Sequence, residues 1–418
     1  MTAELVVARK ALAAACGDVR DGDAAEGAFV AAPGSTEEAA AVMRVAAEHE
    51  LAVVPRGGGS RLGWGTPPAR SDLVVDMSRM SAVAEHTAGD LVARVQAGAR
   101  MGDVAAVLAR AGQELALDVP GAASVGGVVA SGLAGPRRLR YGTPRDLLIG
   151  ITIVRADGNV AKSGGKVVKN VAGYDLGKLF AGSAGTLGLI TEATFRLHPL
   201  PAARAFVTAE YVAVSVACDA VAAAANSPLV SSAVELTRAE PGGPIQVGVL
   251  LEGSAEGVQS RSMRMAGLLG KAKVAVDQPA WWPGAPRAAA GETLIRVSFW
   301  VSALGRVLDA IEAAAAKAGV SPVTEGSAGA GVVYVRVRPG DGEAGAGAVA
   351  GFAAALRGAL AGERGAVVVL AAPGAVREEL VTRGGMNGMV PGLALMRAVK
   401  DQFDPGHRMA PGRFPEEA

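Results

Sequence analysis

The stretch Val53-Val-Pro-Arg-Gly-Gly-Gly-Ser-Arg-Leu-Gly-Trp-Gly65 decides how this chain is read. The apolar run Leu51–Val54 has the length and β-branching of a buried strand, so three glycines follow directly on a strand end. Without a Cβ, successive backbone N–H groups can turn toward one anion and form a nest. Ser60 adds a hydroxyl donor. The stretch is neither a G-x-x-x-x-G-K-[ST] phosphate loop nor a G-x-G-x-x-G turn opening a helix. Taken alone, a strand followed by three glycines is more often a plain loop than a diphosphate cradle.

The surroundings sharpen the reading. Upstream, Ser35 with Glu38 forms an S-x-x-E capping box, followed by a helical pattern through Val42, Met43, Val45 and Ala46. Downstream, strands are predicted at Leu73–Asp76 and Leu91–Gln96 and a helix over Met101–Ala111. Residues 119–135, VPGAASVGGVVASGLAG, form a second glycine-rich stretch, too small and flexible in composition for a plain core element. A strand at Leu147–Val154 runs into the turn Asp157-Gly158, and Val160–Lys162 begins the return of a hairpin. A third glycine-rich stretch, Gly182-Ser-Ala-Gly-Thr-Leu-Gly188, precedes the strand Leu189–Leu197. Pro199 and Pro201 then mark a boundary.

At 418 residues the chain exceeds one ordinary core, so more than one domain is expected. Beyond residue 200, strand-like segments (Ala205–Val212, Ile245–Leu251, Thr293–Trp300, Val332–Arg338, Ala366–Leu370) alternate with Ala-rich helical ones (near 215–225, 255–270, 302–318 and 345–361). That alternation predicts a helix-covered sheet. The expected division is residues 1–200, residues 201–385, and a C-terminal segment 386–418 that packs back on the first domain. Glycine, at 57 residues, is in excess, but tracts such as Gly326–Gly347 reflect a general Ala/Gly bias, so only ordered clusters carry meaning.

A formal net charge of +1 lacks the basic excess that a nucleic-acid binder normally shows, so no nucleic-acid partner is expected. Arg137, Arg138 and Arg140 are read as a solvated loop. Cys16 and Cys218 fit a reduced protein and are too few for an iron–sulfur cluster, which needs about four thiolates. The charged N-terminus predicts no signal peptide, and no apolar run approaches the roughly 20 residues of a membrane span.

Taken in order, the three glycine-rich stretches resemble the FAD domain of the vanillyl-alcohol-oxidase/p-cresol-methylhydroxylase superfamily. The resemblance covers about Ser35 to Pro199, and the tail Phe403-Asp-Pro-Gly-His-Arg-Met-Ala-Pro-Gly-Arg-Phe414 is similar to that superfamily's C-terminus. It implies an α+β fold: a p-cresol-methylhydroxylase-type FAD domain of two α/β subdomains, a smaller α+β cap, and a tail returning to the FAD domain. Within the superfamily, Gly63-Trp64-Gly65 and Gly164-Gly-Lys-Val-Val-Lys-Asn-Val-Ala-Gly-Tyr-Asp175 resemble the second FAD-binding, or E-type, subunits of bacterial glycolate oxidases.

Carried over, Arg56, Gly57, Gly58, Gly59, Ser60 and Arg61 would wrap the FAD pyrophosphate. Pro120, Ser124, Gly126, Gly127, Ser131 and Gly132 would line the path from adenosine to isoalloxazine. Ile190 would offer its backbone to the adenine. Asn170, Gly173 and Tyr174 would lie near the flavin ring, with a packed core tyrosine as the alternative for Tyr174.

Two departures matter. The first glycine loop holds neither His nor Cys, so the flavin is expected to be non-covalent. The hydroxy-acid dehydrogenases of the superfamily carry cap histidines that bind a divalent metal or handle the substrate proton. Here the only histidines are His49, His86, His198 and His407, so none falls between residues 199 and 406. No metal site is expected and no catalytic residue is assigned. Trp281, Trp282 and Trp300 read as core packing before partner surface.

The resemblance therefore implies an FAD-binding subunit of a multi-subunit 2-hydroxy-acid (glycolate) oxidase. Its partners would be a second, catalytic flavoprotein and an iron–sulfur subunit. The location would be cytoplasmic, or peripheral on the inner face of the cell membrane through the complex. A stand-alone FAD dehydrogenase and a flavin-fold scaffold without FAD remain open.

Overall fold

The computed structural model of the chain describes residues 3–23, 27–166, 174–338, 343–388 and 390–413. Two compact units emerge. The first takes the described residues of Met1–Leu133, Thr143–Leu200 and Pro391–Glu416, and the second those of Ala134–Gly142 and Pro201–Val390.

Among the described residues, two larger sheets and a two-stranded ladder of Gln113–Glu114 with His198–Pro199 build the first unit. One is four-stranded, in the order Val19–Asp21, Phe29–Ala31, Leu73–Asp76, Val53–Arg56. Its last three strands run parallel, and the first pairs antiparallel with its neighbour. Parallel strands are buried on both faces, which is why they read as unbroken apolar runs. Phe29, Val53, Leu73 and Val75 join the main core, while Val30, Val54 and Val74 form a small cluster with Leu62. The strand expected at Leu51–Val54 begins two residues later and continues through Arg56, so its end is the start of the glycine loop.

Helix Thr36–Glu48 is capped as expected by Ser35, whose hydroxyl accepts the Glu38 N–H at 3.1 Å. The returning arm reaches one residue further back, where the Glu38 carboxylate accepts the Gly34 N–H at 2.8 Å. Ala39, Ala40, Val42, Met43 and Ala46 are buried beneath the helix.

The second sheet is antiparallel, in the order Val83–Thr87, Val92–Gln96, Leu189–Arg196, Leu148–Val154, Val160–Gly164. Residues 119–135 correct the composition-based reading. Val125–Ser131 is a helix capped by the Ser124 hydroxyl, and Val125, Val128 and Val129 bury its inner stripe. Glycine serves close packing here: a Cβ on Gly126 would stand 2.9 Å from the Ala97 Cβ.

In the second unit, eight antiparallel strands run Lys273–Ala275, Ala203–Tyr211, Ile245–Gly253, Ala233–Arg238, Val323–Gly326, Val332–Val337, Thr293–Ser298, Ala366–Ala371. Alternate residues such as Val247, Val249, Ile295 and Val335 form one core with Val221, Leu308, Ile311 and Phe352 of the helices. On the other face Trp282 meets Phe206 edge-on at 4.9 Å, and both Trp281 and Trp282 lie over Gly248, so these two tryptophans pack internally. Trp300 is exposed.

The arginine cluster is not the solvated loop expected of it. Arg137 pairs with buried Glu252 at 3.4 Å, Arg138 donates to the Tyr334 hydroxyl at 3.0 Å, and Arg140 donates to the Ser232 hydroxyl and the Glu252 carbonyl, each at 3.2 Å. These bonds tie Ala134–Gly142 into the second unit. The buried carboxylate is the reason: Glu252 needs cationic partners once out of water.

Candidate FAD-binding site

Within the first unit the three glycine-rich stretches converge. Ser124 Oγ accepts the Gly58 N–H at 3.2 Å and the Gly127 N–H at 3.3 Å, joining the first stretch to the second. The third joins the second through the Gly182 N–H on the Val129 carbonyl at 2.9 Å and the Ala184 N–H on the Ala130 carbonyl at 2.8 Å. The third also meets the strand that leads into the first, since a Cβ on Gly185 would lie 3.2 Å from Pro55.

Two glycines are required by geometry. A Cβ on Gly57 would fall 2.0 Å from Ser124 Oγ, so no side chain fits there without displacing the serine. Gly59 has φ +73°, the left-handed region that side chains disfavour. Gly58, Gly59 and Ser60 are solvent-exposed, and a Cβ on Gly58 would meet the Ala122 carbonyl at 3.0 Å. A narrow, open backbone surface of this kind suits a diphosphate, which needs N–H donors and no bulk.

Arg56 has a different place from the one expected. Its guanidinium closes on Asp76, with Nε at 3.1 Å and an Nη at 2.9 Å from one carboxylate oxygen, at directly paired ends of adjacent parallel strands. Burial opposes ionisation of Asp76. The Ser78 N–H and hydroxyl and the Arg56 guanidinium outweigh it and hold the carboxyl below its usual range. Arg61 stacks its guanidinium over Trp64, 4.6 Å from the ring centroid.

Of the second group, Pro120 is exposed and its carbonyl accepts the Ala123 N–H at 2.9 Å. Gly127 and Ser131 are half-buried, and the Ser131 hydroxyl donates to the Gly127 carbonyl at 2.7 Å. Gly132 ends the helix in the left-handed conformation, its would-be Cβ 3.5 Å from Gly182 Cα. Ile190 pairs with Ile153 on one edge, while the neighbour on the other edge begins pairing at Glu192. Asn170 and Gly173 lie outside the described residues. Tyr174 is 91% exposed, which removes the core-tyrosine alternative.

The C-terminal segment is the part whose contacts sequence reasoning missed. Met409 bridges Val53 in parallel: the Val53 N–H donates to the Arg408 carbonyl and the Ala410 N–H to the Val53 carbonyl, both at 2.8 Å. Arg413 donates to the Trp64 carbonyl at 2.6 Å, and the Ala69 N–H to the Pro411 carbonyl at 2.8 Å. Lys400 and Asp404 form a buried pair at 2.5 Å; Lys400 also donates to the carbonyls of Thr186, at 2.7 Å, and Met409, at 3.1 Å. The tail thus braces the first glycine loop and the third. Its Pro/Gly punctuation was visible in the sequence, but nothing local named Val53, Trp64 or Thr186 as partners.

Comparisons with known proteins agree with this geometry. A family described as FAD binding domain matches residues 27–164. Glycolate oxidase subunit GlcD of Bacillus subtilis is 34% identical over 208 residues, covering 49% of this chain and 44% of that protein. D-lactate dehydrogenase of Archaeoglobus fulgidus is 38% identical over 178 residues, covering 42% of this chain and 40% of the relative. The chain therefore spans less than half the length of these curated relatives. Among solved structures, substrate-bound p-cresol methylhydroxylase superposes with a TM-score of 0.75 at 17% identity, covering 99% of this chain and 97% of that one. An alkyldihydroxyacetonephosphate synthase gives 0.65 at 16% identity, covering 92% and 76%. The chain therefore carries an FAD binding domain, matched over residues 27–164, in a fold shared with p-cresol methylhydroxylase.

Proposed function

We propose that this chain is the FAD-binding subunit of a multi-subunit 2-hydroxy-acid oxidoreductase, glycolate being the first candidate substrate. The observation that carries the reading is the convergence of the three glycine-rich stretches around Ser124, beside the exposed Gly58–Ser60 backbone. Two relatives named above are a glycolate oxidase subunit and a D-lactate dehydrogenase, and a third, from Xanthomonas citri, is a D-2-hydroxyglutarate dehydrogenase 37% identical over 174 residues.

Bound FAD supplies a two-electron acceptor for CH–OH oxidation. This chain's own residues supply its seat. The N–H groups of Gly57 to Ser60 hold the diphosphate. Ser124, Gly127, Ser131 and Gly132 line its path, and Ile190 meets the adenine with backbone. Arg56 acts through its pair with Asp76, fixing the strand ends from which the loop springs. No His or Cys in residues 56–65 offers a covalent link, so the flavin is dissociable.

Oxidation of a hydroxy acid also needs an acceptor for the hydroxyl proton. With no histidine between residues 199 and 406, that acceptor comes from a second, catalytic flavoprotein. Electrons then leave through an iron–sulfur subunit, since Cys16 and Cys218 are far too few for a cluster. The complex is cytoplasmic, with attachment to the inner face of the membrane through other subunits. Among the described residues no helix is long and apolar enough to cross a membrane.

Purification from the native cell at low ionic strength tests the assembly. A Cys-rich subunit and a second flavoprotein should co-purify. A chain that emerges alone and oxidises glycolate rapidly with a dye acceptor would be a stand-alone dehydrogenase.

A further inference from the structure

On the second unit's sheet, the face turned from the helices carries a cationic pair with no acid of its own. Arg296 and Tyr334 are direct register partners on neighbouring strands. Arg138 arrives from the Ala134–Gly142 segment, donates to the Tyr334 hydroxyl at 3.0 Å, and lies 5.8 Å from that ring's centroid. Its other bonds go to the backbone carbonyls of Ala134 and Gly135.

The neighbouring arginines behave differently. Arg336 closes on Glu325 at 3.2 Å and Arg338 on Glu292 at 3.3 Å. Among the described residues the Arg296 side chain has no hydrogen-bond or ion-pair partner, and its Nε is buried. Burial pushes the Arg296 guanidinium below the usual arginine range; Tyr334 opposes the shift and Arg138 adds to it. Two half-buried guanidinium groups brought together on one side of Tyr334, with no carboxylate bonded to either, are an arrangement that costs stability. An anion would relieve it.

We propose that Arg296, Arg138 and Tyr334 form a binding site for the carboxylate of a small organic acid. The free fork of Arg296 matches a planar carboxylate with two parallel N–H donors. Arg138 spends its Nε and one Nη on Gly135, Ala134 and Tyr334, which leaves its other Nη as a donor and its charge as a second attraction for the anion. Val368, the register partner of Arg296 on its other side, is half-buried and sets an apolar wall for a short carbon chain. The site rests on the second unit alone, so its failure would leave the FAD reading intact.

The test uses the full chain, with thermal melts and calorimetry against acetate, glycolate and D-lactate. Chloride and inorganic phosphate at matched ionic strength are the controls. The carboxylates should raise the melting temperature and phosphate should not. Arg296→Met should bind carboxylate roughly ten- to a hundred-fold more weakly, as expected for loss of a charged hydrogen-bonding partner. Without ligand it should melt at or above wild type, because a half-buried cation without a hydrogen-bonding partner has been removed. Tyr334→Phe, which keeps the ring, should fold normally and weaken binding less. No carboxylate-dependent shift, an equal response to phosphate, or unchanged binding by Arg296→Met would each overturn the proposal. So would an Arg296→Met variant that melts well below wild type, since that makes the arginine a prop of the fold.

Discussion

Replacing Asp404 by Asn should loosen the first unit's C-terminal brace and weaken FAD retention together. The Asp404 carboxylate accepts from Lys400 at 2.5 Å, from the Met409 N–H at 2.7 Å and from the Arg408 N–H at 3.1 Å. The side chains of Lys400 and Asp404 are 4% and 0% exposed, so the ammonium left behind has no water to turn to. Breaking a buried pair on one side costs about 3–5 kcal/mol. For a unit of this size that corresponds to a fall of roughly 6–20 °C in melting temperature. Lys400→Met combined with Asp404→Leu leaves no stranded charge and should cost less than Asp404→Asn alone, despite losing the two backbone N–H acceptors. Lys400 itself titrates in a useful direction. Burial pushes its ammonium below the usual lysine range, with Asp404 opposing. The folded chain therefore releases this proton at lower pH than the unfolded chain does. The burial penalty is fully present below the folded value, and wild type gains stability over Lys400→Met as pH rises from there to about 10.4. Thermal melts with flavin fluorescence of the filtrate report both effects. An Asp404→Asn variant within about 1 kcal/mol of wild type, retaining its flavin, would refute the reasoning, because a buried pair cannot lose one charge so cheaply.

Gly57→Ala should fold but lose FAD affinity by about ten-fold or more, because its Cβ displaces the serine that joins Gly58 to Gly127. Gly58→Val should act similarly through the Ala122 carbonyl, and equilibrium dialysis against FAD checks both. Acid titration should show the advantage of wild type over Asp76→Asn present above about pH 3.9 and lost as pH falls through the lower folded value. Steady-state assay with a dye acceptor should find glycolate and D-lactate oxidised poorly by the purified chain alone. Robust turnover unaffected by chelators would make it catalytic.

Legibility followed burial. Leu73–Asp76 was read to the residue because a doubly buried parallel strand is a solid apolar run. Phe29–Ala31 and Val19–Asp21 were missed because three residues give no period to count. Val83–Thr87 hides behind Glu85, His86 and Thr87 on a sheet edge. Ala233–Arg238 was passed over because Glu235 and Arg238 are charged yet buried, a tertiary effect that local pattern does not carry. The glycine stretches were found by their order, but the close packing of the second stretch's helix on Ala97 through Gly126 needs three-dimensional contact. The same holds for Arg56: its identity suggested a phosphate ligand, while its register opposite Asp76 makes it a strand-end pair.

The central claim is that the converging glycine loops of the first unit hold FAD without a covalent bond. A visible spectrum of the purified chain, followed by acid precipitation, addresses it most directly. The account predicts an oxidised-flavin spectrum and release of all the flavin, identified as FAD, into the supernatant, with a lower flavin content in Gly57→Ala. Yellow colour retained in the pellet would contradict the non-covalent seat. A folded wild-type chain that shows no flavin spectrum even after incubation with excess FAD would contradict the binding itself.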